Sequence, residues 1–122
     1  MEILSVALEI QKKIEQLDIL LKSIKGLAQR RAETIAEYDK QVGIYMARIR
    51  NGEEMELHGH MVQGPQATLI EKMAKSFCAD HLEVKELADT EYALTIKALD
   101  VVRAQLNGWQ SINRYLEHAT DE

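Results

Sequence analysis

A seven-residue ladder of apolar positions runs through the first part of the chain and limits what it can fold into. One column reads Ile3, Ile10, Leu17, Ile24, Arg31, Tyr38, Tyr45, and the other Ala7, Ile14, Leu21, Ala28, Ile35, Val42, Ile49. Seven heptads with one polar residue, Arg31, predict a long helix that packs along another helix. At about 1.5 Å of rise per residue, such a helix spans roughly 70 Å. The stripe is widest near its start. There Leu4, Val6, Leu8, Ile19 and Leu20 add to the ladder and cover more than one partner helix needs, so two or more neighbours are expected. Gly26 and Gly43 each lower helix propensity by about 1 kcal/mol relative to alanine, and leave open whether the helix kinks.

The rest of the chain supplies a partner of matching length. Asn51-Gly52 is a helix stop, since both residues accept left-handed backbone, and Arg48 and Arg50 suit the negative end of the helix dipole. Met55, Leu57, Met61 and Val62 then bracket His58-Gly59-His60, a pattern that suits a small β-hairpin lying on the helices. Thr68-Leu69-Ile70-Glu71 reads as a capping box. Beyond it Ile70, Met73, Phe77, Val84, Ala88, Tyr92, Leu99, Val102, Leu106, Trp109 and Leu116 keep helical spacing, through Gly108.

These signals predict an all-α fold in one domain, residues 1–122. It has a helix over about 2–50, a connector over 51–67 and a helix over about 68–118. The two helices form a long, coiled-coil-like antiparallel hairpin that pairs residues whose numbers sum to roughly 119. One hairpin cannot cover the wide stripe by itself, so an oligomeric bundle, dimer or higher, is expected. Leu4, Leu8, Ile19 and Leu20 would then face another subunit, alongside Leu106, Trp109 and Ile112. A first helix folded back at Gly26 into a three-helix monomer is the alternative.

Composition narrows the function. The net charge is −5, so the total gives no attraction to nucleic acid or anionic membrane. Residues 1–50 carry nine basic against seven acidic side chains, whereas residues 66–122 carry six against ten, which favours pairing of the two helices. Cys78 is the single cysteine, so a reducing compartment is expected. No apolar run approaches the 18 or so residues of a membrane span, and MEILSVALEI lacks a basic start and a small-residue cleavage site. A soluble cytoplasmic protein is the expectation.

Three constellations could carry chemistry. His58, His60, Cys78 and His81 fall within 24 residues and offer imidazole and thiolate to zinc. Their spacing matches no zinc-finger pattern, and Cys78 lies roughly 15 Å into its helix, so the plainer reading is a buried thiol with surface histidines and no metal. Trp109, Gln110, Asn113, Arg114 and Tyr115 combine stacking surfaces with polar groups and could hold a nucleotide-like ligand or a protein partner. Unbroken apolar spacing through this segment favours an interface. Lys22, Lys25, Arg30 and Arg31 could meet phosphates, but Asp18, Glu33 and Glu37 lie close in sequence and argue for a salt-bridged face instead. Phosphate loop, nucleophile elbow, Cys-x-x-Cys and Glu-x-x-His patterns are all missing, so no enzyme activity and no cofactor are expected.

Four strings carry a resemblance: Ala36-Glu37-Tyr38-Asp39-Lys40, Arg48 to Glu54 (RIRNGEE), Pro65 to Lys72 (PQATLIEK) and Ala104 to Arg114 (AQLNGWQSINR). Through them residues 36–116 resemble small helical proteins of Gram-positive phages and prophages. The resemblance implies an accessory phage protein in the host cytoplasm, connected with DNA recombination or with inhibition of a host defence system. Its partner would be a host or phage protein. It assigns no functional residues.

Overall fold

The computed structural model describes the backbone of residues 2–121 and the side chains of residues 2–119. In chain order these form α1 (Ile3–Arg50), β1 (Met55–Leu57), β2 (His60–Val62), a 3₁₀ turn (Ala67–Leu69), α2 (Ile70–Phe77) and α3 (Ala79–Asp121). The protein is mostly helical, with one small antiparallel sheet among the described residues. α1 runs unbroken through Gly26 and Gly43. The chain gathers into two compact units: residues 29–90, and residues 1–28 with 91–122.

In the unit of residues 29–90, α1 ends as Asn51-Gly52 predicts. Gly52 takes φ +77° and its amide donates to the Ile49 carbonyl at 3.1 Å, while the Glu53 amide donates to the Arg48 carbonyl at 3.2 Å. These two bonds are the Schellman pattern, and they satisfy carbonyls that the helix end would leave unpaired. Arg48 also grips Glu53 by two bonds, Nε to Oε2 at 2.9 Å and Nη2 to Oε1 at 2.6 Å. β1 pairs with β2 in the register Met55–Val62, Glu56–Met61 and Leu57–His60. His58 and Gly59, both at positive φ, make the two-residue turn, so His60 belongs to the strand.

Tyr38, Val42, Ile49, Met55, Ala74 and Cys78 are the core of this unit, with Tyr45, Met46, Ile70, Met73, Phe77 and Leu82 packed against them. Met55 is the hairpin's anchor, which is how a two-stranded sheet persists. The Tyr45 and Phe77 rings stack with centroids 5.1 Å apart, and the Lys85 ammonium sits 4.8 Å from the Tyr38 ring centre. Arg31 is ion-paired with Asp89. As α1 numbers rise, their partners' numbers fall, so the two strands of helix in this unit run antiparallel with sums close to the expected one.

Two expectations about the second half are corrected. Thr68 lies inside the 3₁₀ turn and caps nothing: the Leu69 amide donates to the Gln66 carbonyl at 2.9 Å, and the Ile70 amide to the Ala67 carbonyl. Thr68 therefore has helical-type backbone where an N-cap needs extended backbone, and neither Gln66 nor Leu69 makes a side-chain cap. The second helix is also divided. Cys78, at φ −98° and ψ +19°, turns its amide to the Lys75 carbonyl at 3.1 Å, and the helical pattern resumes when the Leu82 amide donates to Cys78. Neither glycine nor proline marks this break. It coincides with Ala74 and Cys78, both fully buried against the C-terminal part of α1.

Candidate functional site

The unit of residues 1–28 and 91–122 buries little. Among its described residues the buried apolar side chains are Val6, Leu99 and Val102, of which Val6 alone is fully buried. Val6 lies off the predicted ladder, and it marks a corrected register. In residues 3–28 the less exposed row of α1 is Val6, Ile10, Lys13, Leu17, Leu20, Ile24 and Leu27, alternating by three and four residues, with Glu9 half-buried beside it. Ala7, Ile14, Leu21 and Ala28, the ladder's second column, are exposed. The reason is volume. Val6, the Lys13 stem, Leu20 and Leu27 fill the space beside the Ile10–Leu17–Ile24 row better than a column with alanine at both ends. In residues 29–90, where α2 and β1 add cover, Ile35, Val42 and Ile49 of that second column do become half-buried or buried.

α3 shows the matching pattern. Tyr92, Thr95, Leu99, Val102, Leu106, Trp109, Asn113 and Leu116 form the shielded row, again alternating by three and four, and Ala98 beside Leu99 is half-buried too. In residues 29–90 the same row passes through Lys85 and Ala88, and Val84, expected on the seam, is exposed.

The residues predicted to meet a second subunit therefore divide. Leu4, Leu8 and Ile19 are 68%, 57% and 66% exposed. Ile112 is also open to solvent. Leu20, Leu106 and Trp109 are half-buried in the shielded rows, so the chain itself takes up part of the surface assigned to a partner. Ile3, Ile14 and Leu21 remain open on α1. The sequence reading missed Leu94, Val101 and, as an apolar contact, Tyr115, which are open on α3. The signal was present in the chain: these three lie on one seven-residue row with Gly108.

The polar candidates are not assembled into sites. Trp109 and Tyr115 lie six residues apart on one helix, about 120° from each other around the axis, and cannot clamp a ring between them. Asn113 Nδ2 donates to Glu117 Oε1 at 3.1 Å, and Arg114 Nε to the Gln110 carbonyl at 3.4 Å. Gln110, Asn113 and Arg114 line only an open surface depression. The zinc set is not brought together either. Among the described residues no three His, Cys, Asp or Glu side chains converge. Cys78 is fully buried in the core cluster, and burial pushes its thiol above the ordinary range, whereas His58 and His60 are exposed on the hairpin.

A shallow cleft borders the hairpin, lined by Tyr45, Arg48, Met55 and Phe77 together with Glu54 and Glu56. Its one cation is committed. The Arg48 guanidinium is bonded to Glu53 and lies 5.2 Å from the Tyr45 ring centre, and the hydrogen bonds to Glu53 raise its pKa while lowering that of the carboxylate. Of the basic cluster, Lys22 pairs with Asp18 at 2.9 Å and Arg31 with Asp89. Among the described residues no helix is long and apolar enough to cross a membrane. Comparison with protein-family models, curated proteins and solved structures finds no match.

Proposed function

We propose that this chain is a protein-interaction module that works through the apolar surface of residues 2–28 and 91–119, not an enzyme. One observation carries the reading. In that unit eleven large apolar side chains are exposed among the described residues, against three that are buried. Covering a leucine-sized side chain is worth about 1.5–3 kcal/mol, so a surface of this kind favours association strongly. The same surface supports an oligomeric state, dimer or higher. The resemblance of residues 36–116 to phage and prophage proteins supports the setting: an accessory protein in the host cytoplasm, acting on a host or phage protein as a recombination accessory or defence inhibitor.

Two measurements test this. Light scattering on the purified chain is expected to give at least twice the chain mass. Affinity purification from phage-infected cells is expected to bring down a protein at fixed stoichiometry. A monomer with no stoichiometric protein partner overturns the proposal, and a bound nucleotide or nucleic acid would replace it with a ligand-binding role.

A further inference from the structure

We infer that the outer face of α3, formed by Leu94, Ala98, Val101, Gln105, Gly108 and Ile112, docks the same face of a second copy of this chain, antiparallel and about a two-fold axis. This rests on the reading of residues 2–28 and 91–119 as an interaction surface, and names the face and the occupant. The row sits one position before the shielded row of α3 along its whole length, which on an α-helix is a rotation of about 100°. Leu94 and Val101 are 60% and 55% exposed and Ile112 is open as well, while Ala98 is half-buried, so the chain leaves the large side chains of this face uncovered.

Spacing identifies the occupant as a helix. The six positions alternate by four and three residues, the spacing that keeps a stripe in contact with another helix running along it. Size identifies the helix as a second copy. Read from either end, the row runs large, small, medium, medium, small, large: Leu94, Ala98, Val101, then Gln105, Gly108, Ile112. A two-fold antiparallel pair places Leu94 opposite Ile112, Ala98 opposite Gly108 and Val101 opposite Gln105 of the second copy. Two crossing helices are closest near their crossing point and diverge outward. The small residues then flank the crossing and the large ones fill the wider ends. A side chain at Gly108 would meet nothing within 4 Å in the single chain, so the space above it is open for a neighbour.

Charge agrees. Residues 94–112, which carry the row, hold Lys97 and Arg103 against Asp100, so two copies meet there with little net repulsion. The acidic excess of residues 29–90, eleven against eight, lies outside this face. A self-complementary patch of this kind closes a two-fold dimer.

Sedimentation equilibrium on the full chain tests the inference with four variants, helix content being checked by circular dichroism. Leu94→Glu and Val101→Glu are expected to weaken self-association at least tenfold. Leu8→Glu, on α1, is expected to weaken it less than Val101→Glu does. Gly108→Leu adds apolar surface and helix propensity, yet is expected to weaken association at least tenfold, because the added side chain fills the space the second helix occupies. Dissociation by Leu8→Glu but not by Val101→Glu would move the contact to α1, and overturn this inference while leaving the interaction reading intact. Tighter association of Gly108→Leu would overturn the close crossing at that layer. A wild-type chain that sediments as a monomer at every concentration removes the second copy as occupant.

Discussion

Gly43 and Gly52 lie nine residues apart, one inside α1 and one just past its end, and backbone geometry gives them opposite roles. At Gly52 the chain holds φ +77°, where a side chain is strained whatever the space around it, and the two bonds that finish α1 depend on that turn. Gly43 lies inside α1, with nothing within 4 Å of an added Cβ. Gly52→Ala is therefore expected to destabilise the fold by about 1–2 kcal/mol, and Gly43→Ala to stabilise it by up to about 1 kcal/mol. Urea unfolding of the two variants beside the wild type reads both signs, and equal shifts in the midpoint would contradict the account. The Asn51-Gly52 stop was legible in the sequence because it depends on local backbone preference alone. The Thr68 cap was not, although its four residues fit the pattern. The 3₁₀ turn ahead of Ile70 puts Thr68 inside helical-type backbone and not at its boundary, and nothing in the four-residue string reports that.

Among the elements, periodicity gave the long helices, but side-chain volume and added neighbours chose which rows were shielded. The α1 stripe was wide enough to contain two candidate columns, and the bulk of Val6, Leu20 and Leu27 selected one that the ladder had passed over. On α3 the row through Leu94 and Val101 was equally periodic. It is masked in the sequence by the bulkier row Leu99, Val102, Leu106 and Trp109 one residue away. The break between α2 and α3 had no sequence marker, since Cys78 is an ordinary residue within a helical pattern. It follows from packing, with Phe77 stacked on Tyr45 and Cys78 fully buried in the cluster beside it. That burial makes the thiol a reporter of this junction. Its pKa is raised by desolvation, so the protonated form is favoured in the folded chain and the reactive thiolate is suppressed at neutral pH. The stability tied to this group is present below the unfolded thiol pKa and is lost as pH rises through the higher folded value. A disulfide reagent at pH 7–8 is expected to label native Cys78 at least tenfold more slowly than the urea-unfolded chain. Labelling at the unfolded rate would mean that α2 does not hold its place on α1.

For the molecule as a whole, stability and association are one question. Residues 29–90 have a connected core of six buried side chains, closed by the hairpin and α2. Residues 2–28 and 91–119 have three buried apolar side chains and leave eleven large ones exposed. If a second copy covers part of that surface, the dimer is favoured over the unfolded chains by mass action, and the apparent stability depends on how much protein is present. A tenfold rise in chain concentration then adds about 1.4 kcal/mol per dimer, which raises the melting temperature by about 2–8 °C for chains of this size class. Differential scanning calorimetry across a hundredfold concentration range is expected to show this rise in the wild type. Val101→Glu is expected to melt at a lower temperature that no longer moves with concentration, because the folded monomer then unfolds alone. A wild-type melting temperature that stays fixed across the range would mean that the three buried residues and the half-shielded rows suffice by themselves, and that the open rows of α1 and α3 contribute nothing to the stability of the fold.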